Sequence, residues 1–186
     1  MNKDFTRAIF IDGANLYSIT KSLGIEIDFS SLLHYFNKDG KLLRAFYYTA
    51  VMEDSEYSSV RRLIDWLDYN GYQVITKNTR EYTDSHGNRK LKGNMDVEIT
   101  IDALEIAPHI NELILFSGDG DFRYLVEMLQ KKGVRVTVVS SLKSQPSFVS
   151  DELRRQSDQF IDITSIIHHI ERDKEDDELD IDDEEN

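Results

Sequence analysis

Acidic residues follow two strongly apolar segments of this chain, and each acid stands beside a glycine. Residues 9–11 are followed by Asp12, and residues 113–116 run into Ser-Gly-Asp-Gly-Asp, which supplies Asp119 and Asp121. If the apolar segments are parallel strands, their carboxyl ends meet at one edge of a sheet, where ligands bind. Three carboxylates cannot all stay ionised in one place without a cation, and oxygen-only ligands suit Mg²⁺ or Mn²⁺. The pattern therefore predicts a divalent-metal site at Asp12, Asp119 and Asp121.

A second, simpler interpretation of these acids remains open, because Asp-Gly is common in turns and Asp is a good helix cap. Asp96 is the best candidate for a fourth acid of the site, although an acid in a first helical turn also stabilises the helix dipole. Asn15 lies one turn beyond Asp12. It can orient a water or a carboxylate in the site, or it can form a local hydrogen bond at the helix start.

A basic segment lies between the two groups of acids. Residues 77–92 contain five bases and two acids, and Tyr82 and His86 stand among them, where they can stack on unpaired bases. The segment is also rich in turn residues, which predicts a hairpin or a long loop. A mixed-charge surface hairpin without function is the alternative interpretation. The residues predicted to bind RNA are Arg80, Arg89, Lys90 and Lys92.

The rest of the pattern alternates between strands and helices. Residues 95–107 are ambiguous, because Met95, Val97 and Ile99 alternate as in a strand, whereas the length favours a helix with Asn94 as its cap. The predicted strands are residues 7–12, 42–51, 73–77, 112–116, 134–140 and 160–163. The predicted helices are residues 14–23, 30–36, 95–107, 122–132, 151–156 and 164–172. A further helix is predicted between a cap near Ser55 and an end at Gly71. This alternation predicts an α/β fold with a mostly parallel sheet covered by helices on both faces.

Length, composition and charge limit the class of protein to which this chain can belong. The chain has 186 residues, 40% of them apolar, and carries a net charge of −13. Residues 173–186 hold ten acids and one lysine, so residues 1–172 carry only −4. We expect a single domain over 1–172 followed by a disordered acidic tail over 173–186. Without cysteine, without a secretory leader and without a membrane-spanning run, the chain is expected to be cytoplasmic.

Three motifs in order carry a family resemblance. The sequences IFIDGANL (9–16), KGNMDV (92–97) and SGDGDF (117–122) resemble the NYN domain of the PIN-like nuclease superfamily, in its LabA-like branch. The resemblance implies a three-layer α/β/α sandwich, a helix over 95–107, and a Mg²⁺- or Mn²⁺-dependent ribonuclease. Carried over by motif, it implies an acid set with one polar companion: Asp12, Asp96, Asp119, Asp121 and Asn15.

The sequence and the resemblance together predict metal-assisted hydrolysis of RNA phosphodiester bonds, with single-stranded RNA as partner, no membrane partner, and homo-oligomerisation left open. Two alternatives remain. One is a non-catalytic module of the same fold that binds RNA or protein. The other is a metal-dependent phosphatase acting on small molecules, which shares the acids and does not need the basic hairpin.

Overall fold

The centre of the molecule is a six-stranded sheet in which every strand pairs parallel to its neighbours. The computed structural model describes residues 5–52, 59–79, 81–83, 89–91, 93–143 and 147–172. In sequence order the sheet strands are β1 Thr6–Asp12, β2 Lys41–Met52, β3 Gln73–Thr79, β6 Glu112–Phe116, β7 Arg135–Ser140 and β8 Gln159–Asp162. Their spatial order is β3-β2-β1-β6-β7-β8. The chain therefore builds outward from β1 to one side, and then returns to build outward from β6 on the other.

The basic segment forms a separate antiparallel hairpin, as predicted. Its strands are β4 Glu81–Thr83 and β5 Arg89–Leu91, which pair with each other and not with the central sheet. Because the hairpin connects β3 to the segment before the next helix, it leaves the sheet at the edge where the parallel strands end.

Helices cover both faces of the sheet, which confirms the predicted α/β/α sandwich. They are α1 Gly13–Leu23, α2 Phe29–Asn37, α3 Ser59–Tyr69, α4 Asp96–Ile106, α5 Arg123–Lys131, α6 Asp151–Gln156 and α7 Ile167–Ile170. Successive strand residues face opposite ways. Phe10 packs in the core that includes Ile99 of α4, whereas Ile9 and Ile11 pack in the core that includes Leu16 of α1. None of the helices in these described stretches is long and apolar enough to cross a bilayer.

Two predicted details at helix ends are wrong. Asn94 does not cap α4: Met95 occupies the cap position, and the cap makes no side-chain hydrogen bond. The last helix is shorter than the predicted 164–172, because a 3-10 turn at Ile163–Ser165 precedes α7. Beyond α7, Glu171 forms an antiparallel bridge with Ile27, which draws the chain out of the helical conformation. The predicted cap Ser55, the bases Arg80 and Lys92, and the acidic tail lie outside the described residues.

A close backbone contact joins the loop after β6 to the loop before α6. The Ser150 N–H donates to the carbonyl of Gly118 at 2.9 Å, and a side chain at Gly118 would overlap the carbonyl of Phe148. At Gly120 an added Cβ would lie 3.0 Å from the Ser150 Oγ, a side-chain atom that caps α6 by accepting the Leu153 N–H and that must give by a few tenths of an ångström. Glycine is therefore required at position 118 by close packing and only favoured at position 120.

We expect Gly118→Ala to lower the free energy of unfolding by about 3 kcal/mol, the upper end of the range for overpacking, because a backbone carbonyl must move. Gly120→Ala is the matched control and should lower it by about 1 kcal/mol, because no backbone must move and only the Ser150 cap of α6 is weakened. Urea unfolding of both variants measures the difference. Equal stabilities for the two variants would contradict the proposed contact.

Candidate functional site

Three carboxylates meet at the carboxyl edge of the sheet. Asp96 begins α4, Asp119 caps the short 3-10 helix Gly120–Phe122, and Asp121 lies within that helix. One carboxylate oxygen from each of the three lies within 4.8 Å of the others. We call these residues the acid cluster. The expected convergence of Asp119 and Asp121 is therefore observed, and the third member of this trio is Asp96, which the sequence analysis placed fourth.

Asp12 joins the acid cluster through a hydroxyl group. Its Oδ2 accepts a hydrogen bond from the Ser117 Oγ at 3.1 Å, and the same Oγ accepts from the Asp119 N–H at 3.2 Å. The other oxygen of Asp12 accepts from the Asn15 N–H at 3.2 Å, so this residue also caps α1. Capping and membership of the site are therefore compatible for Asp12, and the same holds for Asp119, whose Oδ1 accepts from the Asp121 N–H at 3.0 Å.

Asn15 links the two strand ends. Its backbone N–H binds Asp12, which is the local bond that the sequence allowed, and its side-chain Oδ1 accepts from the Gly118 N–H at 3.1 Å. The second bond spans 103 positions of sequence. Asn15 therefore holds the loop that carries Asp119 against the start of α1.

The electrostatics of the site show crowded negative charge. Burial raises the pKa of Asp12, and the nearby charge of Asp119 raises it further. Burial and then the charges of Asp119, Asp12 and Asp121 raise the pKa of Asp96 from 3.8 to about 6. Burial, together with the charge of Asp12, raises the pKa of Tyr47 to about 12. The site therefore resists additional negative charge and favours a cation.

An open pocket of about 280 Å³ gives solvent access to these acids; we call it the acid pocket. Its walls include Asp12, Asp96 and Asp119 together with Gly93 and Asn94. A side chain at Gly93 would overlap the methyl group of Thr79, so this glycine lets the segment before α4 lie against the sheet. The Asn94 side chain then donates to the Asp96 Oδ2 at 2.6 Å. Asn94 thus orients a site carboxylate instead of capping the helix.

The residues predicted to bind RNA are only partly placed. Arg89 and Lys90 belong to β5, where their backbone pairs with Thr83 and Tyr82. Arg80 and Lys92 are not among the described residues. Gly93 lines the acid pocket two positions after β5 ends at Leu91, so the chain returns from the hairpin to the rim of this pocket. RNA binding by these four bases remains a prediction.

Three contacts near the site were missed from the sequence. Ser117 connects two acids, and its place in the SGDGD motif was an available signal. Lys77 lies 2.6 Å from the Glu98 carboxylate and also donates to the Asn94 carbonyl at 3.4 Å. The Tyr48 hydroxyl donates to Asp102 at 2.9 Å. No local signal predicts the last two contacts, because each depends on how α4 packs against the sheet.

The donor set fits a hard divalent cation. The acid cluster offers only carboxylate oxygens, and no histidine or cysteine accompanies it within the described part of the chain. Such a set suits Mg²⁺ or Mn²⁺ better than softer metals. Burial and then the charges of the neighbouring carboxylates raise the pKa of Asp96, as expected for partly buried acids that lie together without a neutralising charge.

Replacing Asp96 by Asn should stabilise the metal-free protein at neutral pH. A carboxyl group whose pKa is raised in the folded state binds its proton more tightly there, so its contribution to stability falls as pH rises from 3.8 to about 6. Asp96→Asn removes this penalty of about 1 kcal/mol, allowing for solvent screening, which corresponds to a Tm increase of about 2–4 °C.

The comparison should be made by thermal unfolding with chelator at pH 4 and pH 7.5, with the exposed Asp68→Asn of α3 as the charge-matched control. The Tm advantage of Asp96→Asn should appear only at the higher pH, and Mn²⁺ should stabilise the wild type more than this variant. An advantage that is the same at both pH values would contradict the crowded-carboxylate account.

Comparison with known proteins agrees with the three motifs. A family model described as the NYN domain matches residues 6–166. Over 169 residues the chain is 36% identical to the low amplitude and bright protein LabA of Synechococcus elongatus, covering 89% of this chain and 87% of that protein. A crystal structure of a protein of unknown function from Vibrio parahaemolyticus has a TM-score of 0.71 and 28% identity, covering 87% of this chain and 94% of that chain. These matches support a nuclease-like or RNA-related role, and the chain belongs to the NYN domain family of the PIN-like nuclease superfamily.

Proposed function

We propose that this protein is a metal-dependent ribonuclease that hydrolyses RNA phosphodiester bonds at the acid pocket. The observation that carries the proposal is the meeting of Asp96, Asp119 and Asp121, whose carboxylate oxygens lie within 4.8 Å at the edge where β1 and β6 end. Family membership adds a nuclease-like context to this geometry. The pocket is open, so a phosphodiester of a polymer can reach the acids from solvent.

Different residues of the site would bind the metal ion and orient the attacking water. Asp96, Asp119 and Asp121 would bind Mg²⁺ or Mn²⁺, and Asp12 would complete the ligand set or orient the attacking water. A divalent cation at such a site supplies positive charge for the phosphate and lowers the pKa of a bound water. A cation held there would favour the ionised form of Asp96, because a neighbouring positive charge lowers the pKa of a carboxyl group.

Hydrogen bonds from neighbouring polar groups hold the acids in position. Ser117 fixes Asp12 and Asp119 relative to each other, and Asn15 holds the Gly118 backbone. Asn94 turns the Asp96 carboxylate toward the pocket by donating to its Oδ2. These contacts hold the carboxylates in place before substrate arrives, which reduces the cost of arranging them during the reaction.

Asp119→Asn is the most informative test of the proposed activity. The wild type should cleave single-stranded RNA with Mn²⁺ or Mg²⁺, chelator should abolish cleavage, and Asp119→Asn should lower kcat/KM by at least about 100-fold. Asn can still accept the hydrogen bond that caps the following turn. The variant should therefore fold, and without metal it should melt at the same or a higher temperature. Asp68→Asn is the control and should keep full activity.

Each other result has a defined meaning. Full activity of Asp119→Asn would point to a contaminating nuclease or to a different site. Mn²⁺ binding without cleavage across varied RNAs would favour the non-catalytic RNA- or protein-binding module. Hydrolysis confined to small phosphate esters would favour the phosphatase.

The basic hairpin is proposed to hold the RNA backbone. Replacing Arg89, Lys90 and Lys92 by alanine should weaken RNA binding and flatten its salt dependence, with a slope of log K against log salt that is smaller by about 0.7 for each phosphate that the protein no longer neutralises. Fluorescence anisotropy across a salt series measures this slope. The control replaces three lysines at the opposite edge of the sheet, Lys38, Lys41 and Lys132, and an equal loss of affinity there would remove the special role of the hairpin.

A further inference from the structure

We propose that α1 carries a nucleobase subsite, in which a base of single-stranded RNA next to the scissile phosphate stacks on Tyr17 and enters a second pocket beside the helix. The inference rests on the proposed ribonuclease function and extends it to substrate binding. The second pocket, which we call the α1 pocket, has a volume of about 360 Å³. This volume lies within the range of about 300–1,000 Å³ that is typical of ligand pockets.

One face of α1 connects the acid pocket to the α1 pocket. The helix starts directly after Asp12, and Ala14 and Ser18 line the acid pocket, whereas Tyr17 and Lys21 line the α1 pocket. These four helix residues are all exposed, and Tyr17 and Ser18 each lie three or four positions from both Ala14 and Lys21, so the four form a single stripe. The rise of a helix places Tyr17 about 4.5 Å and Lys21 about 10 Å beyond Ala14 along the axis.

Tyr47 lies against the start of α1 and lines the α1 pocket. An added Cβ at Gly13 would lie 2.9 Å from its ring. Because residues of α1 line both pockets, a polymer bound at the acid pocket can continue along this helix into the α1 pocket.

The chemistry of the α1 pocket suits a base attached to a phosphate. Tyr17 is 63% exposed, and the Lys21 Nζ lies 5.7 Å from the centroid of its ring. An exposed aromatic ring offers a face on which any base can stack, and an adjacent lysine offers a positive charge for the phosphate. The remaining walls are mainly apolar and include Ile25, Phe29 and Leu63.

Glu26 makes one side of the α1 pocket acidic and so determines how a nucleotide is oriented in it. It also lines the pocket, and its negative charge disfavours a phosphate close to it. A carboxylate can instead accept hydrogen bonds from the amino group of a base. We therefore expect the base to point toward Glu26 and the phosphate toward Lys21, which is the order needed if the backbone continues to the acid cluster.

Continuity with the acid pocket along α1 favours RNA as the occupant of this surface. A similar tyrosine–lysine pair occurs elsewhere, where the Lys38 Nζ lies 5.9 Å from the Tyr35 ring, but that pair adjoins the start of β2 at the opposite edge of the sheet. It provides a chemical control without access to the acids. Tyr69 is 91% exposed and ends α3 at that same distant edge, so it provides a control for the loss of an exposed ring.

The experiment measures the binding of a fluorescein-labelled single-stranded RNA of mixed sequence by anisotropy in the presence of Mg²⁺. All variants are made in the Asp119→Asn protein so that the RNA stays intact. Tyr17→Ala should weaken binding by about 5- to 100-fold, the range for loss of one stacked base, whereas Tyr17→Phe should retain affinity. Lys21→Gln should weaken binding and reduce the salt dependence, whereas Tyr69→Ala and Lys38→Gln should leave both unchanged.

A second measurement locates the stacked base without relying on one variant. Removing single bases along the RNA should weaken binding to the parent protein most strongly at one position, and that loss should disappear in Tyr17→Ala, because the two changes remove the same contact. Thermal unfolding of each variant confirms that it is folded.

The possible failures separate the two proposals. If Tyr17→Ala binds RNA as tightly as its parent while the wild type still cleaves RNA, the subsite is wrong and the ribonuclease stands; the surface is then free for a protein partner. If the parent binds no RNA and the wild type cleaves none, the ribonuclease proposal fails and the subsite fails with it. An equal loss in Tyr69→Ala would also overturn the subsite, because it would show a general effect of exposed rings.

Discussion

The parallel pairing of β1 with β6 is the constraint on which the site depends. Ile11 lies opposite Phe116, so the next residues of the two strands, Asp12 and Ser117, emerge at the same level of the sheet. Their hydrogen bond then places the loop that carries Asp119. A slip of this register by one residue would exchange side chains between the two cores, whose packing they fit, and would separate the acids. The burial of apolar strand residues therefore fixes the position of the charged ones.

The acids at the two edges of the sheet have opposite surroundings: one is paired with a base, and the others lie beside further acids. At the amino edge, the buried Glu112 is compensated: the Arg7 Nε lies 2.8 Å from one oxygen and the Thr137 hydroxyl donates to the other at 2.7 Å. At the carboxyl edge, the acids of the cluster crowd together, and their mutual repulsion adds to burial in raising the pKa of Asp96. Such local crowding of like charge is destabilising, and proteins retain it mainly where function requires it.

The sheet, its central strand pair and most helices could be predicted because apolar periodicity and strand-end acids are local signals. Asp12 and Asp119 could be predicted from such local signals, since each closely follows an apolar strand. The place of Asp96 beside them depends on how α4 crosses the sheet, which periodicity does not report, so the residues alone offered Asp96 only as a candidate fourth acid and the motif resemblance added support. The role of Asn94 was mistaken for the same reason: capping is a local preference, whereas its bond to Asp96 depends on the close approach of Gly93 to the sheet.

The hydrogen bond between Asp12 and Ser117 spans 105 positions of sequence, and this separation has a consequence during synthesis. The first acid leaves the ribosome long before its partners, and β1 must wait for β6 before its second edge is filled. Closing so long a loop is slow relative to local helix formation. In a nascent chain Asp12 is therefore present before Ser117 and Asp119 have been synthesised. The acids come together only once the second half of the sheet has been made.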